Sequence, residues 1–339
     1  MPKVMRACVS PAKNKLSQSR KIWLVIGGAL SALVASQAHA ETILLTNDDG
    51  LSSNVLALYR ELKEQGHDVI VSVPCTGQSG MGAAIYFLRP LEPLGQPCLN
   101  AAGKAGDPGA GPMTRADLPP DFFYVNGTPV MALLYGLDVA AKARWGHPPD
   151  LVLSGPNEGR NAGYIVISSG TVSNAQYAAM RGIPAIALSA GENTRDNPGL
   201  ANPRSAVVAR LSAQLVARLI GQRGTGPILP QGTALNVNFP DEPADAPWKP
   251  ARIGNYNRYV ISFSSDLAGR DAGNARPGIA IGISTALPNP EQGHDEAVVS
   301  EHAIAVSIMQ IAYDAGDERQ VWLESALTRG EAGDDDSAR

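Results

Sequence analysis

Aromatic residues are scarce in this chain, where Phe, Trp and Tyr together make up 5% of 339 residues. That argues against a base-stacking RNA platform or a β-propeller. Histidine is rarer still, five in all, and His67, His147, His294 and His302 are scattered without metal-ligand spacing, so neither a zinc site nor a catalytic imidazole has support. No Gly-x-Ser-x-Gly elbow occurs, which leaves a serine hydrolase without its nucleophile turn. The Gly-rich stretch 103–111 follows no strand and opens no helix, so it is no dinucleotide fingerprint. Haloacid-dehalogenase chemistry needs an Asp-x-Asp on its first strand, whereas Asp48 and Asp49 are adjacent. Acidic residues are missing altogether from positions 1–40.

That acid-free stretch carries six basic residues, ends its charged part at Arg20-Lys21, runs through an apolar segment from Ile22 to Val34, and closes on Ala38-His39-Ala40. A positive start, a short apolar middle and an A-x-A exit describe a secretory signal peptide. The apolar run is too short to cross a bilayer of ~30 Å at ~1.5 Å per residue, so no stable membrane anchor is expected. Cleavage near Ala40 would leave an exported chain of residues 41–339, periplasmic in a Gram-negative host. That remainder has 22 Lys+Arg against 32 Asp+Glu, a balance that gives no attraction to a nucleic-acid polyanion. With Cys8 removed, Cys75 and Cys98 are the remaining thiols. They form a candidate disulfide in an oxidising compartment, the alternative being two independent thiols.

A hydrophobic fraction of 44% and a charged fraction of 18% suit a globular fold. Thr42–Thr46 reads as a buried strand, and Val55, Leu58, Tyr59 and Leu62 keep helical spacing until Gly66. Val69–Val73 reads as the next strand, making a βαβ unit and hence a parallel sheet. The alternation continues with a strand at Phe122–Val125, a helix at Pro129–Ala143 and a strand at Leu151–Leu153. A helix at Val172–Arg181, a strand at Ile183–Leu188 and a helix at Ala206–Ile220 follow. Ten of the 26 residues in 95–120 are Gly or Pro, which predicts a long exposed loop. Beyond residue 230, Leu235–Phe239, Tyr259–Phe263 and Ile279–Ile283 alternate like strands, before an amphipathic segment near Val321–Leu327 and a frayed tail at 331–339. The expected organisation is a signal peptide (1–40), a Rossmann-like α/β core (41–230), a β-rich extension with a C-terminal segment (231–330) and the tail.

In a doubly wound sheet, ligands sit beyond the carboxyl ends of the strands. Four polar loops leave strands there: Asp48-Asp49, Gln78-Ser79-Gly80, Ser154 to Asn161, and Ser168-Ser169-Gly170-Thr171. Neighbouring carboxylates are costly unless a positive charge separates them, and hard oxygen donors without His or Cys point to Mg²⁺ or Mn²⁺. Ser-Gly-Thr opening a helix is a candidate anion nest. A dication beside such a nest suits phosphoryl chemistry.

The motif Ile43-Leu-Leu-Thr-Asn-Asp-Asp-Gly50 resembles the opening signature of the SurE survival-protein family. The likeness continues through Gln78-Ser79-Gly80, Asn126-Gly-Thr-Pro129, Asp150 to Asn157, Ser169-Gly-Thr-Val172, Gly182 to Ala187, Leu235 to Pro240 and Asp295–Ile308. The resemblance implies a metal-dependent 5′/3′-nucleotidase and acid phosphatase that hydrolyses nucleoside monophosphates. Asp48, Asp49, Ser79 and Asn157 would hold one Mg²⁺ or Mn²⁺, with Asp48 or Asp49 also orienting water. Asn47, Gly80, Ser169, Gly170 and Thr171 would contact the phosphate. It further implies a SurE-like fold, a Rossmann-like, mostly parallel sheet with a β-hairpin extension and a C-terminal segment exchanged in homodimers or homotetramers. The sequence departs from the family pattern at Ala84-Ile85-Tyr86, Val130-Met131-Ala132, Pro156 and Glu158. Those departures motivate the alternative of an exported nucleotide-binding protein with weak or no hydrolysis.

Overall fold

The computed structural model describes residues 40–195, 198–267, 276–311 and 317–328. The signal-peptide reading, Ala40 apart, and the tail at 331–339 lie outside these residues. Nine strands form one sheet in the order β3-β4-β2-β1-β5-β6-β7-β11-β8, and β9 and β10 form a second. Their ranges are β1 Thr42–Thr46, β2 Asp68–Pro74, β3 Ala110–Pro112, β4 Phe122–Val125, β5 Leu151–Asn157 and β6 Ala185–Ser189. The later ones are β7 Thr233–Asn238, β8 Trp248–Ala251, β9 Tyr259–Ser264, β10 Gly278–Ile283 and β11 Ile304–Gln310. The helices are α1 Ser53–Glu64, α2 Pro129–Tyr135, α3 Lys142–Trp145, α4 Gly170–Met180, α5 Pro203–Gln222, α6 Glu296–Val299 and α7 Asp317–Thr328. Among the described residues no helix is long and apolar enough to cross a membrane.

Strands β4, β2, β1, β5, β6 and β7 run parallel; the crossovers β1–β2, β4–β5, β5–β6 and β6–β7 put helices on the sheet's faces, whereas β2 reaches β4 through the 75–121 segment without an α-helix. Side chains of β1 therefore alternate between two fully buried layers. Ile43 and Leu45 pack under α1 and α5 with Val55, Leu58 and Leu62, while Leu44 packs under α2 and α4 with Ile70, Leu133 and Ala175. From β1 the chain winds outward through β2 and β4, then returns to β5 and winds the other way. The strand order reverses between β1 and β5, and the loops leaving both diverge to open a crevice there.

The helix expected over Pro129–Ala143 is present, with a wider-wound turn at Gly136–Ala141 between α2 and α3. Gly136 lies where a Cβ would fall 2.7 Å from Leu44 Cδ1, so the helix presses directly onto the sheet. β5 is longer than its apolar run suggests and carries Asn157 to the sheet's edge.

The loop expected over 95–120 is present and largely exposed, and it is fastened to the sheet at several points. Cys98 and Ala102 are buried, Cys75 and Cys98 form a disulfide, and β3 pairs antiparallel with β4. The Tyr124 hydroxyl donates to the Pro108 carbonyl at 2.7 Å. The glycines that suggested looseness permit close approach: a Cβ on Gly109 would lie 2.6 Å from the Glu92 carbonyl oxygen. Beyond residue 230, β7, β8 and β11 complete the large sheet, and β9–β10 stands as a hairpin. Val321, Trp322, Leu323 and Leu327 of α7 are all exposed, so the helix forms but buries no apolar face of its own.

Candidate active site

Thr46 ends β1, and the chain turns at once. The turn is built by Asn47, whose amide donates to the Gly50 carbonyl at 2.7 Å and accepts from the Gly50 N–H at 3.1 Å. Gly50 takes φ +86, and a Cβ there would lie 3.0 Å from the Pro74 carbonyl oxygen. Asn47 is fully buried, so its side chain holds the turn rather than facing solvent. The turn lifts Asp48 and Asp49 over the strand end. The Asp48 carbonyl accepts from the Gln78 N–H at 2.7 Å, which ties the loop carrying Ser79 and Gly80 to the acidic pair.

From the other flank, Ser169 caps α4 by accepting from the Val172 N–H at 3.1 Å. Gly170 follows, where a Cβ would fall 2.6 Å from Pro129 Cγ and 2.8 Å from Asp48 Cβ. Only glycine lets the helix N-terminus approach the acidic turn this closely. Thr171 then donates its hydroxyl to Asp48 Oδ1 at 2.5 Å. Asp49 Oδ2 accepts from the Glu158 N–H at 3.0 Å, and the Glu158 carbonyl accepts from Arg195 Nε at 2.7 Å.

Burial raises the pKa of Asp48, opposed by the Thr171 hydroxyl and nearby backbone N–H groups. Burial raises Asp49 well above the carboxylate range, reinforced by the charges of Asp48 and Glu158. Glu158 itself is pushed up to about 7, mainly by burial, with Arg195 opposing. Three crowded acids thus resist ionisation together, a situation that a cation relieves.

The polar atoms present fit a dication. Asn157 donates to the Gly159 carbonyl at 2.7 Å, but its Oδ1 is buried and has no hydrogen-bond partner. An orphaned buried amide oxygen is costly unless something electropositive meets it. Among the described residues no cluster of three or more His, Cys, Asp or Glu could hold a metal. The available donor set is two carboxylates, an amide oxygen and the Ser79 hydroxyl, the all-oxygen chemistry of Mg²⁺ or Mn²⁺.

Asp48, Ser79, Gly80, Asn157 and Ser169 line one cleft of about 730 Å³. Asn47, Asp49, Gly170 and Thr171 do not line it; each adjoins Asp48 or Ser169 in sequence or, for Thr171, through its bond to Asp48. The cleft also gathers residues that motif reading did not select. Arg160 and Asn161 follow Asn157 on the same loop, Glu192 and Arg195 come from the β6–α5 connection, and Tyr259 with several Ile come from the hairpin. Arg160 and Asn161 stand within an Asn-rich loop that invited suspicion. Nothing local to Arg195 or the hairpin does.

The family model described as Survival protein SurE matches residues 43–259. The chain belongs to the SurE family. A SurE 5′-nucleotidase of Hyphomonas neptunium is 30% identical over 79% of this chain and 92% of its own length. An acid phosphatase of Yarrowia lipolytica is 34% identical over 62% of this chain, which spans 60% of that relative's length. In structure, the crystallised SurE protein of Aquifex aeolicus superposes with a TM-score of 0.60 at 27% identity, covering 85% of this chain and 99% of that one. The SurE fold anticipated from the sequence motifs, a mostly parallel α/β sheet, is thereby established.

Proposed function

We propose that this SurE protein is a divalent-metal-dependent phosphomonoesterase that hydrolyses nucleoside monophosphates to nucleoside and phosphate. The observation that carries this reading is the orphaned, buried Oδ1 of Asn157, a residue that lines the same cleft as Asp48 where the strand order reverses. The nucleotidase and phosphatase names of its relatives support it.

Asp48, Asp49, Asn157 and Ser79 would hold Mg²⁺ or Mn²⁺, which supplies Lewis-acid polarisation of a phosphoryl oxygen and a more acidic water. The chain's own groups do the rest. The Gly170 and Thr171 N–H groups of α4 turn to the Asp48 carboxylate and the Val172 N–H to Ser169 Oγ, so the helix would favour an anionic phosphate through the partial positive charge of its N-terminus. The Ser169 oxygen accepts from Val172, which leaves its hydroxyl proton free to donate to the same anion. Thr171 fixes the carboxylate plane of Asp48, and the Glu158 N–H fixes that of Asp49. Asp48 or Asp49 would also orient the attacking water. Export is supported by the basic-apolar-small leader and by a disulfide of the kind that persists in oxidising compartments. Assembly into homodimers or homotetramers is supported by apolar side chains left exposed, including Phe87 and Ile167.

The test is phosphate release from 5′-AMP by the exported chain in Mn²⁺, with and without EDTA, beside Asp48→Asn. Metal-dependent release that falls at least a hundredfold in the variant is expected. Saturable nucleotide binding without release would favour the binding-protein alternative, and equal rates would refute the acidic-pair assignment.

A further inference from the structure

A phosphate and a metal held by the acidic pair would fill only one end of a cleft of about 730 Å³, a volume in the range of whole small-molecule sites. The other end is walled by the hairpin. In its antiparallel register Ile281 faces Ile261, Ile283 faces Tyr259 and Ile279 faces Phe263. Side chains alternate across a strand, so these six share one face, while Val260, Ser262, Ser264, Ala280 and Gly282 occupy the other.

The larger apolar set should face a core, as in any half-buried antiparallel ribbon. Here it does not. Ile261, Ile279, Ile281 and Ile283 are 50%, 54%, 65% and 58% exposed, and all four line the cleft. The hairpin's base is fastened beside the site. Asn257 accepts from the Tyr164 N–H at 2.8 Å, and the Tyr259 hydroxyl donates to Glu192 at 3.2 Å. Whatever fills the cleft beside the phosphate therefore covers this face.

We infer that the β9–β10 face is the leaving-group subsite, and that it selects phosphomonoesters whose leaving group carries an aromatic ring over those of small hydrophilic alcohols. The inference rests on the phosphomonoesterase reading, and it assigns selectivity to Ile261, Ile279, Ile281 and Ile283. Substrates of the favoured class gain by covering aliphatic surface, and glycerol or sugar phosphates do not.

The experiment compares the wild type, the double variant Ile261→Ser/Ile281→Ser and the far-face control Val260→Ser. In Mn²⁺, kcat/KM is measured for p-nitrophenyl phosphate and for glycerol 2-phosphate. Calorimetry follows adenosine and inorganic phosphate separately. The double variant should lose about tenfold in kcat/KM for the aryl ester and bind adenosine about tenfold more weakly. Glycerol 2-phosphate turnover and phosphate binding should stay within twofold, and Val260→Ser should match the wild type. Equal losses on both esters, or none, overturn the subsite. So does a fall on both esters accompanied by dissociation of an oligomer, which would make the face a contact between copies. If the wild type releases no phosphate from either ester, the phosphatase reading fails, while the adenosine arm still decides the subsite. Should the double variant fail to fold by circular dichroism, single Ile279→Ser is read by the same ratio.

Discussion

Thr171→Val isolates the contact that links the anion-binding helix to the acidic turn. The side chains are nearly the same shape, and Thr171 is fully buried, so the change removes one hydroxyl and little packing. The lost bond is the 2.5 Å donation to Asp48 Oδ1. A hydrogen bond to a charged partner contributes about 1.5–3 kcal/mol, and partners that orient a metal ligand typically account for about 10–100-fold in affinity. The hydroxyl also lowers the Asp48 pKa against burial. Without it the carboxyl holds its proton to higher pH, and a proton must then leave before a cation binds. The expectation is a Mn²⁺ requirement shifted upward by about 10–100-fold in the phosphate-release assay. Raising the pH should recover part of that loss, and kcat at saturating metal should change less than the metal dependence does. Titrating Mn²⁺ at several pH values gives both quantities. An unchanged metal titration would refute the idea that Thr171 works through Asp48.

Gly170→Ala puts a Cβ 2.8 Å from Asp48 Cβ and 2.6 Å from Pro129 Cγ; crowding of this kind costs about 1–3 kcal/mol, and phosphate release should fall more steeply than urea stability. Removing the disulfide with Cys75→Ser/Cys98→Ser opens a closure of sequence separation 23 and should lower unfolding stability by about 3 kcal/mol in urea titrations, an effect absent if the wild type is already reduced. Glu296 is fully buried, accepts from Gly163 N, Asn236 Nδ2 and Ser307 Oγ, and is pushed up to about 7 from 4.5 by burial. The folded state holds that proton longer than the unfolded chain, so wild type loses about 3 kcal/mol between pH 4.5 and pH 7. Glu296→Gln should lack that component, gaining on wild type as pH rises, and parallel stability curves would sink this account.

The parts legible in the sequence are those set by local periodicity and by short loops. Four buried residues in β1 and the spaced apolar face of α1 declare a βαβ unit without help from distant contacts, and that unit already locates the ligand edge. Asp48 and Ser79 are legible because each follows a strand within a few residues, and Asn157 because it ends one, so strand direction brings these three together; Ser169 is legible as the cap of α4. The segment 95–120 is legible as a long exposed loop, but its anchorage is not, because glycine content does not report where the backbone goes. Gly103 and Gly109 lack the Cβ that would clash, and so press against Tyr124 and Glu92. Arg195 was invisible for a different reason. Its tie to the Glu158 carbonyl spans 37 positions, and no local pattern encodes which arginine the β6–α5 connection will deliver. The hairpin lies between these cases. Alternation in Tyr259–Phe263 and Ile279–Ile283 identifies two strands and even the side chains that share a face. Whether that face meets a core or a cleft depends on where its base is fastened. Asn257 and Tyr259 settle this through contacts to Tyr164 and Glu192, so chemistry at the strand ends was readable one loop at a time, whereas the shape of what binds there required the sheet and its hairpin together.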